Sequence, residues 1–289
     1  MRRTMATKMP PAAAPSIDTL LGQPTFRRTQ PADQADGLRR LFSQRSLRFI
    51  PVVSNPFIAH GGVLIERLCS ALELMELDTL LVDASERGAA PEELASFDLA
   101  EGIEPLSSRV HYLAARGLPV RYVDSRGSTR GFLDAVVDAA PQSQVVLVHA
   151  SATEIARLFG RGDDGLSRPR PIVLCDDQPD AMTHAYAAMK VFAQRADWLS
   201  HDLLLCAPPD SPRAQAVADR LAHCADIFLG GVQHSHVRVD PAEPPTAVPS
   251  RALMGLVEKA LAAAAVLAAG EQEHAGLRSA LPAPRLSMS

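Results

Sequence analysis

The chain has 289 residues, of which 47% are hydrophobic, and its formal net charge is −4. A chain of this length and composition can bury a full-sized core, so disorder throughout is excluded. Acidic side chains outnumber basic ones by 33 to 29. Because no overall positive field draws the protein to nucleic acid or to an anionic membrane, we expect no nucleic-acid partner.

Three features of the sequence indicate a cytoplasmic location. Arg2, Arg3 and Lys8 are followed by prolines instead of an apolar stretch, which is not the pattern of a secretory signal. No uninterrupted run of about 18 apolar residues predicts a membrane span. The cysteines form no C-x-x-C pair, which is typical of small buried side chains in a reducing compartment; they are Cys69, Cys175, Cys206 and Cys224.

The first 44 residues differ in composition from the rest of the chain. Residues 1–31 are rich in Pro, Ala, Thr and Arg, which predicts a flexible arm. Residues 32–44 place Leu38, Leu41 and Phe42 at helical spacing, with Asp33 as the helix start. We therefore predict a short helix ahead of the main domain.

From residue 47 to about 240, apolar strands alternate with helices. The predicted strands are RFIPVV, TLLVDA, LPVRYV, QVVLVHA, PIVLC, HDLLLCA and IFLGGV. One predicted helix begins after residue 61, and three more cover about 129–140, 180–195 and 211–224. Strands this apolar predict an α/β domain with a mainly parallel sheet and helices on both faces. A proline-rich linker then precedes a predicted helix at 250–269 and a tail at 270–289.

The stretch from residue 48 to 85 predicts strand, loop, helix and strand. In a working phosphate-binding loop, glycines expose backbone N–H groups to the phosphates, a lysine reaches the terminal phosphates, and Ser or Thr holds magnesium. This stretch has the arrangement of such a unit without its lysines. Pro56 also removes one N–H donor from the loop.

From Ser54 to Asp83 the chain resembles the deviant Walker A loop, helix and second strand of the MinD/ParA ATPases, whose loop reads G-K-G-G-x-G-K-T. Asn55 and Pro56 stand at the first glycine and the signature lysine, and Gly61 and Gly62 at the second lysine and the threonine. The resemblance implies a three-layer fold like that of P-loop NTPases. Chance alignment of an ordinary βαβ unit is the alternative interpretation.

The acidic positions of that family are also altered. Asp83 matches its first aspartate, whereas Ser85 replaces the second and His149 replaces the Walker B aspartate. Because each lost charge-assisted hydrogen bond removes about 1.5 to 3 kcal/mol, we expect no cofactor, with weak binding of ATP and Mg²⁺ as the alternative. We predict no catalytic residue and no metal site, and a vestigial nucleotide site formed by Ser54, Asn55, Pro56, His60, Gly61, Gly62, Asp83, Ser85, His149 and Pro179.

A second segment supports the same resemblance. LCDDQPDAMTHAYAAMK is similar to the family segment V-x-T-P-E-P-T-S-x-T-D-A-Y-A-x-x-K, in which Pro179, Thr183, Tyr186 and Lys190 coincide. Asp176 and Asp177 replace its usual threonine and proline. In the family this loop caps the base side of the nucleotide, which implies that the scaffold is retained here.

The short helix resembles a motif of one branch of the family, the flagellar-number regulator FlhG (FleN). Residues 33–39 reproduce its D-Q-A-x-x-L-R pattern. The resemblance implies docking on a FlhF-type GTPase and stimulation of its GTP hydrolysis, with the Gln34 amide orienting the attacking water. The predicted partner-binding residues are Asp33, Gln34, Ala35, Leu38, Arg39, Leu41 and Phe42.

The predicted C-terminal helix has Leu253, Val257 and Leu261 on one face. MinD-like proteins end in an amphipathic helix that lies on the membrane, which implies a weak membrane contact here. Only Arg251 and Lys259 are basic, however, so cover of the core or a dimer contact stays open. The flagellar branch also implies a peripheral location at the cell pole.

Three hypotheses about function follow. The first is a pseudo-ATPase that regulates flagellar number through a FlhF-type GTPase, with flagellar switch proteins or transcription regulators as further candidate partners. The second is a MinD-like switch in which weakly bound ATP drives a homodimer. The third is a MinD-like component of another surface or secretion system.

Overall fold

The computed structural model describes residues 46–93, 95, 98–160 and 168–268. The strands are β1 Ser46–Val53, β2 Thr79–Asp83, β3 Ile103–Pro105, β4 Val110–Ala114, β5 Val145–Ala150, β6 Ile172–Asp176, β7 Ser200–Cys206, β8 Val232–Val239 and β9 Ala265–Ala268. The helices are α1 Gly61–Leu74, α2 Gly131–Ala139, α3 Ala152–Phe159, α4 Pro179–Ala196, α5 Pro212–Leu229 and α6 Arg251–Ala262.

The nine strands form one sheet in the order β3-β4-β2-β5-β1-β6-β7-β8, and β9 pairs with β1. All the pairings are parallel except β3 with β4 and β9 with β1. Around the sheet, α1 packs against α6, while α3, α4 and α5 pack against one another in sequence. The predicted α/β class with a mainly parallel sheet is therefore confirmed.

The central strands are buried on both faces, which explains their continuous apolar sequences. Phe49, Val52, Leu80 and Val148 have no exposed surface. The register places the carboxyl ends of β1, β5 and β2 side by side, since Val53 pairs with Ala150 and Asp83 pairs with His149. The loops that follow these three strands therefore meet at one edge of the sheet.

Two predicted strands are wrong. LPVRYV contains the 3-10 turn Pro119–Tyr122, and the strand lies earlier, at Val110–Ala114. Leu118 already has helical dihedral angles, and the fixed φ of Pro119 suits the first position of the 3-10 turn. IFLGGV is also mostly helix, because α5 continues to Leu229 and ends at Gly230, whose φ of 62° forms a left-handed cap.

The helix predicted over 250–269 is too long. It ends at Ala262, and Ala265–Ala268 turn back as β9 to pair antiparallel with β1. Leu253 and Val257 are buried and Leu261 is partly buried against the core. The apolar face predicted to meet a membrane or a partner therefore covers the core, and the packed domain continues beyond residue 240 to residue 268.

The other predictions for the ends of the chain lie outside the described residues. These are the arm at 1–31, the helix at 32–44 with its partner-binding residues, and the tail at 270–289. Within the described ranges, no helix is both long and apolar enough to cross a membrane.

Candidate functional site

A cavity of about 790 Å³ lies beside α1, at the edge where β1, β2 and β5 end. Its wall includes most of the predicted vestigial site: Ser54, Asn55, Pro56, Gly61, Gly62, Asp83, Ser85 and His149. His60, which precedes α1, and Pro179, which begins α4, do not line it. The fold thus gathers residues from three separate loops around one space.

The loop between β1 and α1 uses its own hydrogen-bond donors internally. Phe57 N donates to Asn55 Oδ1 at 3.2 Å, and Ile58 N donates to the Asn55 carbonyl at 3.3 Å. Together with Pro56, which has no N–H group, these residues make three successive positions that offer no donor to the cavity.

Asn55 fixes this loop to the neighbouring strand and helix. Its buried side-chain amide donates to the carbonyls of Leu174 at 3.1 Å and Ala181 at 2.9 Å. Because its Oδ1 atom also accepts from Phe57 N, both the amide nitrogen and the amide oxygen of the side chain have partners within the protein. Asn55 therefore closes the loop and is not available to a ligand.

Asp83 and His149 form a pair at the ends of β2 and β5. His149 Nδ1 lies 3.0 Å from Asp83 Oδ1, and the same oxygen accepts from Ser85 N at 3.1 Å. Burial raises the pKa of Asp83, but the hydrogen bonds from His149 and Ser85 and the charge of His149 outweigh it and lower that pKa below its ordinary value. Asp83 is thus held as a carboxylate with a partner inside the protein.

The side chains on the α1 wall of the cavity were not among the predicted site residues. Glu66, Cys69, Ser70 and Glu73 all line it, and Glu86 and Arg87 lie in the loop after β2. The spacing of 66, 69, 70 and 73 is that of one helical face, which was the available signal. Burial, with Glu73 and Glu66 nearby, raises the pKa of the Cys69 thiol to about 12, so it stays protonated.

A segment distant in sequence completes the wall. Pro245 lines the cavity and belongs to residues 240–250, here called the strap. The strap is held by Arg67, whose side chain is only 1% exposed. Arg67 Nη1 donates to the carbonyl of Ala247 at 2.6 Å, and Nη2 lies 3.3 Å from Glu243 Oε2.

The opposite wall is apolar and comes from the sheet. Leu81 and Val110 lie on β2 and β4, and Leu106 lies on the loop before β4. Tyr112 adds a phenol whose pKa is raised, first by burial and then by the charge of Asp83. Within the described part of the chain, no group of three or more His, Cys, Asp or Glu side chains is arranged to hold a metal ion.

Comparison with known proteins establishes the fold alone. No family model matches the chain, and no curated protein does. The chain is similar to an ATP complex of a McdA variant from Cyanothece, with a TM-score of 0.51, 12% identity and coverage of 75% of this chain and 96% of that chain.

The chain is also similar, at lower scores, to two further solved structures. MinD from Aquifex aeolicus gives a TM-score of 0.45 at 11% identity and covers 74% of this chain and 97% of its own. MinD from Pyrococcus horikoshii with Mg-ADP gives 0.47 at 14% identity and covers 81% and 100%. The structural neighbours of this chain are thus MinD/ParA-type ATPases at low sequence identity.

Proposed function

We propose that this chain is a non-enzymatic regulator built on a MinD/ParA-type fold. It binds a FlhF-type GTPase through Asp33–Arg39, stimulates its GTP hydrolysis and so influences the number or placement of flagella. The single observation that carries the non-enzymatic part is the closed loop, in which Pro56 has no N–H group and the backbone N–H groups of Phe57 and Ile58 both donate to Asn55.

The residues of the cavity do not fit a magnesium triphosphate. A phosphate cradle needs several backbone N–H groups directed outward and a lysine, as in other P-loops. Three successive loop positions offer no donor, and the residues that line the cavity include no lysine. Four carboxylates line the same space and repel a polyanion, with Arg87 as the one permanent cation among the lining residues.

The partner of Asp83 supports the same proposal. Asp83 lies at the end of β2, where the resemblance places the first aspartate of the family, but His149 and Ser85 already contact it. Although burial raises the pKa of Asp83, the hydrogen bonds from these two residues lower it below its ordinary value. Asp83 is therefore stabilised as a carboxylate without a metal ion.

The regulatory part of the proposal depends on the motif in residues 33–39. A protein that does not hydrolyse ATP acts through its contacts with other proteins. Residues 33–39 are the segment for which the family resemblance implies a kind of partner. A glutamine amide can orient the water that attacks a γ-phosphate, as in other GTPases. Leu38, Leu41 and Phe42 give the same segment the apolar face that a helix-in-groove contact needs.

The test is GTP turnover by a FlhF-type GTPase in the presence of the full chain. We expect stimulation by the parent chain and its loss in Gln34→Ala, because alanine cannot orient the water. Gln30→Ala is the matched control, since it removes a nearby glutamine outside the motif and should leave stimulation intact. Equal stimulation by Gln34→Ala and the parent chain would exclude the proposed mechanism.

A second candidate function is a MinD-like switch that binds ATP weakly and dimerises. The retention of Asp83 and the similarity of fold to a McdA that binds ATP favour it. Calorimetry with ATP and Mg²⁺ at millimolar concentration separates the two functions. We expect a flat titration and an unchanged molecular mass; saturable heat together with dimer formation would favour the switch.

A further inference from the structure

We infer that the cavity beside α1 binds an organic cation, an ammonium or guanidinium group carried on an apolar body. This inference rests on the proposed function only in one respect, namely that a nucleoside triphosphate does not fill the same space. It assigns a different chemical class of ligand to the site.

The size and lining of the cavity suit a small molecule. A volume of about 790 Å³ lies within the usual range of small-molecule sites, roughly 300 to 1,000 Å³. Leu81, Val110 and Leu106 form an apolar wall on the side of the sheet. Ile58, in the loop before α1, and Ile65, on α1, add further apolar surface. An alkyl or aromatic body therefore gains from burial here.

The charged side chains that line the cavity determine whether it attracts a cation or an anion. Glu66, Glu73, Asp83 and Glu86 line the cavity, against Arg87 and the imidazole of His149. The amino end of α1 also faces it through Gly61 and Gly62, but a helix dipole contributes only about half an elementary charge. The carboxylates therefore dominate, and the cavity attracts a cation.

The carboxylates on α1 are arranged along the length of the cavity. Glu66 and Glu73 are seven residues apart, which places them on one face and about 10 Å apart along the helix axis. Glu73 Oε1 already accepts from Ser107 Oγ at 2.7 Å and Ser108 Oγ at 3.2 Å, which orients the group. This spacing matches an extended amine with a cationic group at each end.

A buried hydroxyl provides a second, independent indication of a ligand. Ser54 lines the cavity and is only 5% exposed, and its Oγ atom has no hydrogen-bond partner among the described residues. A buried polar atom without a partner is destabilising. An N–H group of a bound amine would satisfy this oxygen.

The experiment is calorimetric titration of the full chain with agmatine, which carries an ammonium and a guanidinium group on a four-carbon chain, and with butyrate as the anionic control. We expect saturable binding of agmatine, weakened by added salt, and no binding of butyrate. The double variant Glu66→Gln, Glu73→Gln should weaken agmatine binding at least tenfold. Ser54→Ala should weaken it less, because it removes a neutral contact.

The matched control is Glu92→Gln, Glu258→Gln, which removes two carboxylates that do not line the cavity. It makes the net charge of the protein less negative by the same two units and should leave binding unchanged. Circular dichroism melting of each variant separates lost binding from lost folding. Equal weakening in both double variants, or no binding of agmatine to the folded parent chain, would overturn the inference.

A lysine side chain of another protein offers the same chemistry as a free amine. Titration with a short lysine-containing peptide distinguishes the two sources, since exclusion of the peptide identifies a free small molecule. The outcome is separable from that of the proposed function. Agmatine failing to bind while GTPase stimulation persists would remove this inference alone, whereas saturable ATP binding would remove the non-enzymatic proposal.

Discussion

Buried ionisable side chains in this protein have their protonation states set by neighbours that are distant in sequence. Asp83 is kept charged because His149 and Ser85 contact it, although burial alone would favour its neutral form. His201 on β7 is compensated only in part. It is 4% exposed, and its Nε2 atom has no hydrogen-bond partner among the described residues.

His201 should make the stability of the protein depend on pH. Burial lowers its pKa from 6.5 to about 4, and the opposing charge of Asp202 compensates only in part. The unfolded chain therefore binds a proton at His201 more readily than the folded protein does. The contribution of neutral His201 to the free energy of unfolding is present in full above pH 6.5 and is lost as the pH falls toward 4. We expect a loss of about 3 kcal/mol in the free energy of unfolding over that range.

Urea denaturation as a function of pH measures this effect. His201→Gln should flatten the curve between pH 6.5 and 4, because it removes the titrating group. His223→Gln, which changes an exposed histidine on α5, should keep the slope of the parent chain. Parallel curves for His201→Gln and the parent chain would show that His201 is not the cause.

At the scale of secondary-structure elements, β9 is the least expected feature. It pairs antiparallel with the first half of β1, so that Leu267 lies opposite Leu47 and Ala265 opposite Phe49. Leu267 is 5% exposed and Val266 is 47% exposed, since successive side chains of a strand point to opposite faces. This strand attaches the C-terminal segment to the centre of the sheet.

We expect Leu267→Ala to destabilise the protein by about 3 kcal/mol, because it leaves a cavity in the core. Val266→Ala on the same strand is the control and should change the free energy of unfolding by less than about 1 kcal/mol. Urea denaturation monitored by circular dichroism gives both values. Similar effects of the two substitutions would mean that β9 does not pack as described.

At the scale of the whole molecule, Arg67 connects α1 to the strap. The two segments are more than 170 residues apart, and the Arg67 guanidinium contacts Ala247, Pro245 and Glu243. A charged side chain that is 1% exposed is costly unless it is paired. This contact therefore fixes the strap, which also forms part of the cavity wall through Pro245.

We expect Arg67→Met to lower the free energy of unfolding by about 2 to 3 kcal/mol, since it removes the charged hydrogen bonds to the carbonyls of Pro245 and Ala247 and retains much of the side-chain volume. Arg213→Met, at an exposed position of α5, should be nearly neutral. Thermal and urea denaturation of both variants provide the measurement. A neutral Arg67→Met would indicate that the strap is held by other contacts.

The sequence alone determined the fold class and the chemistry missing from the first loop. Its apolar strands needed cover on both faces, so they predicted a mainly parallel sheet, and the absence of lysine at Pro56 and Gly61 could be read directly. Both conclusions depend on local composition and spacing. The same local patterns gave the wrong structure for LPVRYV, IFLGGV and residues 265–268, where apolar runs fit a helix and a strand equally well.

Only the tertiary structure decided how the site is used. Two donors of the loop are satisfied by Asn55, whose own amide is held by the distant carbonyl of Leu174. Asp83 meets His149 only because β2 pairs with β5. The acidic wall from Glu66 and Glu73 faces an apolar wall of the sheet across the cavity. Hydrogen bonds and charge–charge interactions depend on the distances between these residues, which are far apart in the chain. Those distances become short only when the strands pair in register.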